Sequence, residues 1–431
     1  MRRLASRIAM GASAAAVAAS LLLVPAIATA QQPPADLSVL PPAPTSYTPK
    51  RTSWGDWDFR ATWTIENIAA ARILFERPLQ FGNRVWVTDE EFAKRLAAAK
   101  SSDASFSTGK DASGNVTGVG GRGTEDQVRW TQTDPFARRT SMLVSPADGQ
   151  LPALTPWAHE LWSQGRSSWV PGQNFDWVDD FDSWDRCVSR GFPASMFPFR
   201  YNNGIRIFQS PGYIVINLEM MGTRVIPISD APAWPRNVEG WMGDSRAHWE
   251  GKTLVIVTTN IKSGDSATHD VSRRAASPLN MATANVPPFN TIPTSDEAHT
   301  VERLTRTGPD TITYEITYTD PKVFTQPWTV RLDWARNDKY VMYEYACHEG
   351  DVQVRNYITS SRAKRQQIAE GKLTGKEPDG NERFAHQFDF DPATMPVGAG
   401  FRTPPPPGAY SADGKAPSWV RDTDTAATAG K

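Results

Sequence analysis

The densest chemistry in the chain lies between Trp241 and Asn260, where Asp244, Arg246, His248, Glu250 and Lys252 share a short window with two tryptophans and an apolar run. A histidine oriented by a carboxylate is the usual general base, and a desolvated carboxyl can serve as the acid. A second charged string is Glu344-Tyr-Ala-Cys-His348-Glu349. Read as a strand, it points Glu344 and His348 to one face about 13 Å apart, at roughly 3.3 Å per residue, so each needs a partner from elsewhere. His299 and Glu302 are one source of partners, and Asp244, His248 and Glu250 are another. The catalytic candidates are therefore His348, Glu344, Glu349, His299, Glu302 and Asp244. Binding candidates are Trp241, Arg246, His248 and Glu250, with Glu219 and Arg224 on a hairpin. The plain alternative is that these charges pair as structural salt bridges at strand ends.

Other chemistries lack their signatures. His248-x-Glu250 puts two ligand types on one face of a strand, but no second histidine lies nearby and His-Glu-x-x-His is absent, so no metal is assigned. Gly243-Asp-Ser245-Arg is a poor substitute for the Gly-x-Ser-x-Gly elbow of a serine hydrolase, and Ser245 reads as a turn or cap residue. The run Gly118-x-Gly120-Gly121-x-Gly123 has no apolar strand before it and no helix after it, so it is not a phosphate cradle. Asp179, Asp180, Asp182 and Asp185 lack the glycine and terminal glutamate of a calcium loop and read as a solvated turn. No cofactor is implied.

Composition bounds the setting of these groups. Residues 1–30 read as a secretory leader: Arg2, Arg3 and Arg7, an apolar run, then Ala28-Thr29-Ala30 as the cleavage site. Removing those three arginines leaves 43 basic against 47 acidic residues, a formal charge of −4 that attracts neither nucleic acid nor anionic membrane. No later apolar run is long enough to span a bilayer, and no cysteine stands at the cleavage site to take a lipid, so no membrane anchor is expected. The expected compartment is periplasmic or extracellular, the expected partner a small molecule, and oligomeric state is left open.

Two cysteines in such a compartment favour one disulfide, Cys187 to Cys347. It would close a loop of about 160 residues, worth roughly 4 to 5 kcal/mol in the chain-entropy picture. Two buried thiols, or Cys347 acting as a nucleophile beside His348, are the alternatives.

The elements that must position these groups are mostly strands. Proline-rich residues 31–53 read as a linker, a single mainly β domain spans 54–372, and residues 373–431 form a proline-rich tail. Gly55 to Thr64 reads as a first strand, and its Gly55-x-Trp57 is faintly lipocalin-like. Thr88-Asp-Glu-Glu91 is a capping box for a helix to about Lys100, followed by a Ser/Gly loop to residue 125. Val128 to Val144 reads as a hairpin with a turn at 146–149, and Thr155-Pro156 opens a short helix to Gln164. The next hairpin, 212–220 with 223–228, turns at Met221-Gly222 and would set Glu219 opposite Arg224. Thr253 to Thr259 is apolar on both faces and reads as a central strand, with Gly243 to Gly251 as the loop entering it. Then Thr300–Thr307, Thr311–Thr319, Trp328–Arg336 and Lys339–Cys347 suit an antiparallel meander. In the third of these, Trp328, Val330, Leu332 and Trp334 share one face. A helix from Ser361 to Glu370 stops at Gly371. The expected fold is mainly β, an antiparallel β-barrel or curved sheet with a few short helices.

Several strings together carry a resemblance: Glu76-Arg-Pro78, Arg139-Thr-Ser141 with Asp148-Gly149, Arg186-Cys187, Tyr201-Asn-Asn203, Pro211-Gly-Tyr213, Gly243-Asp-Ser-Arg246 with Trp249-Glu-Gly251, and Glu344 to Gly350. From about Trp54 to Arg362 the chain resembles a family of exported bacterial proteins of unknown function. It departs from that pattern at Ser145, where the family has aspartate. The resemblance implies compartment and no mechanism. Two functional classes follow from the residues themselves. One is a periplasmic enzyme using histidine and carboxylates for hydrolysis or elimination on a saccharide or small aromatic compound. The other is a non-catalytic β-barrel that binds such a ligand, with tryptophans such as Trp184 or Trp241 as a stacking platform.

Overall fold

The computed structural model describes residues 33–66, 73–108, 135–164, 175–199, 201–263 and 292–376. Residues 1–32, much of the Ser/Gly stretch and residues 377–431 lie outside them. Ten strands form one antiparallel sheet: β1 (Ala61–Thr64), β2 (Leu143–Ser145), β3 (Gly204–Ser210), β4 (Tyr213–Leu218), β5 (Thr223–Pro227), β6 (Asp244–Glu250), β7 (Thr253–Thr259), β8 (His299–Gly308), β9 (Thr311–Thr319) and β10 (Trp328–Arg336). Nine of them follow the order β5-β4-β3-β1-β10-β9-β8-β7-β6, and β2 pairs with β10 beside β1. A parallel bridge between Ile228 and Ala247, with Ser229 N–H donating to the Ala247 carbonyl at 3.1 Å, brings the ends of that path together. The result is a nearly closed nine-strand barrel, which leaves little free sheet edge.

Alternation explains the barrel interior. Trp328, Val330, Leu332 and Trp334 on β10 and Ile312, Tyr314, Ile316 and Tyr318 on β9 are all fully buried. A strand turns successive side chains to opposite faces, so these two sets line the inside. Tyr314 stacks on Trp334 at 4.7 Å and Tyr318 on Trp328 at 4.9 Å, which fills the barrel with aromatic rings. The segment around the cis Phe192-Pro193 bond packs against this core. There Phe197 packs on Phe75 at 5.6 Å, and Phe75 meets Trp328 edge-on at the same spacing.

Three helices flank the barrel: α1 (Asp89–Thr108), α2 (Pro156–Gln164) and α3 (Val352–Ala369). The capping box forms, with Thr88 N–H donating to Glu91 at 2.8 Å and Glu91 N–H to the Thr88 hydroxyl at 3.2 Å. Thr155 likewise accepts from Ala158 N–H at 3.2 Å. Gly371, at φ +69°, ends α3 with a 3.0 Å bond to the Ile368 carbonyl. Residues 33–53, with a turn closed by Val39 N–H on the Asp36 carbonyl, are tied to the domain, because the Leu37 carbonyl accepts Val85 N–H at 2.8 Å and the Pro41 carbonyl accepts Arg331 at 2.5 Å.

Several local expectations are corrected. The first strand is only Ala61–Thr64, because residues 51–57 close a turn through the Arg51–Trp57 bridge. Helix α1 runs past Lys100 to Thr108, and α3 begins at Val352 rather than Ser361. In place of a hairpin, residues 135–138 form a tight turn before the short β2, and residues 128–134 lie outside the described set. Gly243 to Gly251 is no entry loop: it holds strand β6. The acidic turn is not solvated throughout, since Asp180 and Asp182 are buried and Asp180 accepts the N–H groups of Asp176 and Trp177 at 2.7 and 2.9 Å. Residues 340–346 form no strand. Past β10, Asn337 N–H bonds to the Thr62 carbonyl at 2.9 Å and the chain turns at Tyr340, so the meander's fourth partner is β1.

Candidate functional site

The alternation that fills the barrel also sorts the charged row of β6. Ser245 and Ala247 are buried toward the inside, so Asp244, Arg246, His248 and Glu250 face outward. Asp244 is itself buried under the adjoining loop, accepting Trp234 N–H at 2.8 Å and pairing with Arg246. Glu250 takes Arg303 at 2.7 Å and His248 at 3.3 Å, and Arg303, then His248, hold its carboxyl below the usual range. Among the described residues, none of the four bonds to the 339–350 segment. Trp241 lies under the Lys262 ammonium at 5.6 Å.

The histidines do not converge. His248 pairs across to Val255, which pairs with Arg303, four residues along β8 from His299. That is about 13 Å along the strand, in addition to two strand spacings. His299 Nδ1 lies 3.1 Å from the Glu297 carbonyl. His348 is exposed in the turn Cys347–Gly350, beside Asp351, whose carboxyl is raised by burial and pulled back by His348. Glu344 and Glu349 are also exposed. Cys347 is bonded to Cys187 at an S–S distance of 1.96 Å, so neither sulfur is a nucleophile or a thiolate ligand. The Cys187, His348 and Asp351 trio is therefore not a metal centre, and it is the one such group among the described residues.

Two of the expected site residues meet inside the barrel instead. Arg224 on β5 donates to Glu302 on β8 at 2.8 and 2.5 Å, and its Nη2 reaches the Ser245 and Thr258 hydroxyls at 3.1 Å each. Tyr314 donates to Glu302 at 2.9 Å, and the Phe192 ring lies 4.6 Å from the guanidinium. This network is sealed: Arg224 is 3% exposed and Glu302 is 0% exposed. The expected Glu219–Arg224 pair does not form. The β4–β5 connection is longer than two residues, since Asn217 pairs with Thr223 and Leu218 N–H reaches the Gly222 carbonyl at 3.0 Å. Glu219 thus leaves the sheet, and Arg224 turns inward opposite Ile216.

Glu219 anchors the best-formed candidate site. Its carboxylate accepts Gly204 N–H at 3.0 Å, the Tyr340 hydroxyl at 2.6 Å and Tyr343 N–H at 3.2 Å. A Cβ at Gly204 would stand 2.7 Å from Glu219 Oε2 and 2.8 Å from Tyr340 Cε1, so only glycine permits this approach. Next to it, Asn203 Nδ2 donates to Glu66 at 2.7 Å, just past the end of β1. Burial raises the Glu66 carboxyl above its ordinary value; the Asn203 amide opposes the shift and the charge of Glu219 adds to it. Burial, and then the bond to Glu219, raise the Tyr340 hydroxyl well above normal, so it stays a donor. Tyr343, whose N–H bonds Glu219, is exposed, as is Tyr201, two residues before Asn203 and 6.5 Å from the Tyr345 ring.

The sequence reading missed Glu66, Asn203, Tyr340 and Tyr343 as site residues. Asn203 and Tyr343 lie in or beside strings already singled out, but nothing local marks Glu66, which gains its setting from a strand far along the chain. No protein-family model, curated protein or solved structure matches this chain.

Proposed function

We propose that this protein is exported to the periplasm and acts there on a saccharide or small aromatic compound through Glu66 and Glu219, by hydrolysis or elimination. One observation carries the reading: two neighbouring carboxyl groups stand in opposite settings. Glu219 accepts three hydrogen bonds, two from backbone N–H groups and one from a tyrosine hydroxyl. Glu66 is desolvated and accepts one amide, so it holds its proton to higher pH. Carboxyls whose environments diverge in this way divide the work of acid and base. The exposed faces of Tyr201 and Tyr343 suit a sugar ring or an aromatic ring. Export is supported by the leader-like residues 1–30 and by the disulfide, a bond that persists in oxidising compartments. Membership of the exported family suggested by the sequence strings is part of the same proposal. No described helix is long and apolar enough to cross a membrane.

A binding protein without catalysis is the second reading, favoured by the donors from Tyr340 and Tyr343 that commit Glu219 to holding residues 340–343. The test is a panel of nitrophenyl glycosides, free mono- and disaccharides and simple phenols offered to the chain from Gln31 onward. Thermal shift reports binding, and product release reports turnover. For an enzyme, Glu66→Gln keeps the thermal shift and loses at least about a hundredfold of the turnover, the usual range for a general acid. A shift in both forms with no product from either indicates the binder. No shift and no product across the panel would overturn both.

A further inference from the structure

A second polar cluster, independent of the carboxylate pair, lies between β2 and the segment 77–87. Arg139 is 2% exposed there and its guanidinium sits 5.4 Å from the Trp86 ring and 5.2 Å from Phe136, both of them buried. Its Nε and Nη2 have no hydrogen-bond partner. Arg77 is 1% exposed; its Nη1 donates to the Ala147 and Gly82 carbonyls at 2.7 and 3.3 Å, while Nε and Nη2 are unpartnered. Arg331, also buried, gives Nη1 to the Pro41 carbonyl at 2.5 Å and holds its Nε 4.0 Å from Glu315.

Buried polar groups are almost always paired, and an unpaired buried cation is among the most costly arrangements a protein can hold. Two carboxylates face Arg139, Asp333 and Glu315, but Asp333 already accepts the Thr313 hydroxyl at 2.6 Å. Asp148, which acts on Arg77, is exposed to solvent and screened. Nε and Nη2 of Arg139 and of Arg77 are thus four buried donor nitrogens that no described acceptor takes. Burial, helped by Arg331, pushes the Arg139 guanidinium down to about 9, so it is still charged at neutral pH.

We propose that Arg139 and Arg77 form a buried subsite for one small monoanion, chloride or a compact carboxylate such as formate. Their free N–H groups are the donors, the two cationic side chains favour an anion, and the low exposure of both side chains limits the ligand to a few atoms. Arginine is suited to the task because its charge and planar donors persist on burial.

Thermal unfolding of the whole chain, at fixed ionic strength and with gluconate as the excluded bulky anion, tests the proposal. Replacing gluconate by chloride or formate should raise the midpoint by about 2 °C for each tenfold rise above the dissociation constant, as mass action requires. Arg139→Met should lose that increment and unfold at the same midpoint in either salt. The two arms separate halide from carboxylate. Equal anion dependence in wild type and variant would mean a general salt effect and overturn the proposal. Should Arg139→Met not fold, chlorine NMR of the wild type decides: a chloride line broadened by the protein and narrowed by formate supports the subsite, and an unbroadened line refutes it.

Discussion

Arg224 and Glu302 meet inside the barrel as a two-pronged ion pair, at 2.8 and 2.5 Å, although they belong to strands on different stretches of the sheet. The pair ties β5 to β8 across the interior, and Tyr314 completes it. Removing one partner leaves a buried charge with nothing to balance it. Glu302→Gln should therefore cost about 3 to 5 kcal/mol in urea unfolding. Arg224→Met combined with Glu302→Leu should recover most of that loss, because the charges leave together. A single variant as stable as wild type would show that the pair carries little of the fold.

Gly204 tests the anchoring of residues 340–343. An added Cβ would enter the space now held by Glu219 and Tyr340. Gly204→Ala should cost about 1 to 3 kcal/mol, the usual range for overpacking. Limited proteolysis should then cut near Tyr340 to Tyr345, a region that stays intact in wild type.

The Cys187–Cys347 bond joins residues 160 positions apart. Its removal in Cys187→Ser with Cys347→Ser should lower unfolding free energy by about 4 to 5 kcal/mol in the chain-entropy picture, less any residual structure in the unfolded chain. Denaturant titration with and without reductant measures it, and wild type under reducing conditions should match the double variant.

The Glu66 carboxyl is raised above its ordinary value, chiefly by burial. In the ordinary carboxylate range the folded state then binds more protons at this group than the unfolded state does. Stability from Glu66 is therefore fully present below that range and falls as pH rises through the folded value. Glu66→Gln should flatten this descent, so wild type minus variant stability declines as pH rises above the ordinary carboxylate range. Asp320 is raised as well, by burial opposed by Ser295, so part of the descent should remain. A parallel pair of stability curves would show that Glu66 titrates normally.

Much of the fold was legible because its signals are local. Period-two alternation from Trp328 to Trp334 places four side chains on one face whatever else the chain does, and all four are buried. The Thr88–Glu91 box and the Gly371 stop depend on residues within one turn, and both form as read. Two cysteines have one intramolecular pairing available, and that pairing exists.

What sequence could not decide was which side chains meet. Strand spacing put Glu219 opposite Arg224, but a longer turn sent one out of the sheet and the other into the barrel. The alternation of Lys339 to Glu349 resembles a strand, yet β1 already occupies the free edge of β10. Glu66 reaches Asn203 because β1 pairs with β3, Glu219 meets Gly204 at the end of the β3–β4 pairing, and Tyr340 arrives with the return of residues 338–346. Helix caps and strand faces are set over a few residues of backbone. The meeting of two carboxyls depends on register, turn length and the pairing of strands distant in sequence, and only the tertiary structure specifies those.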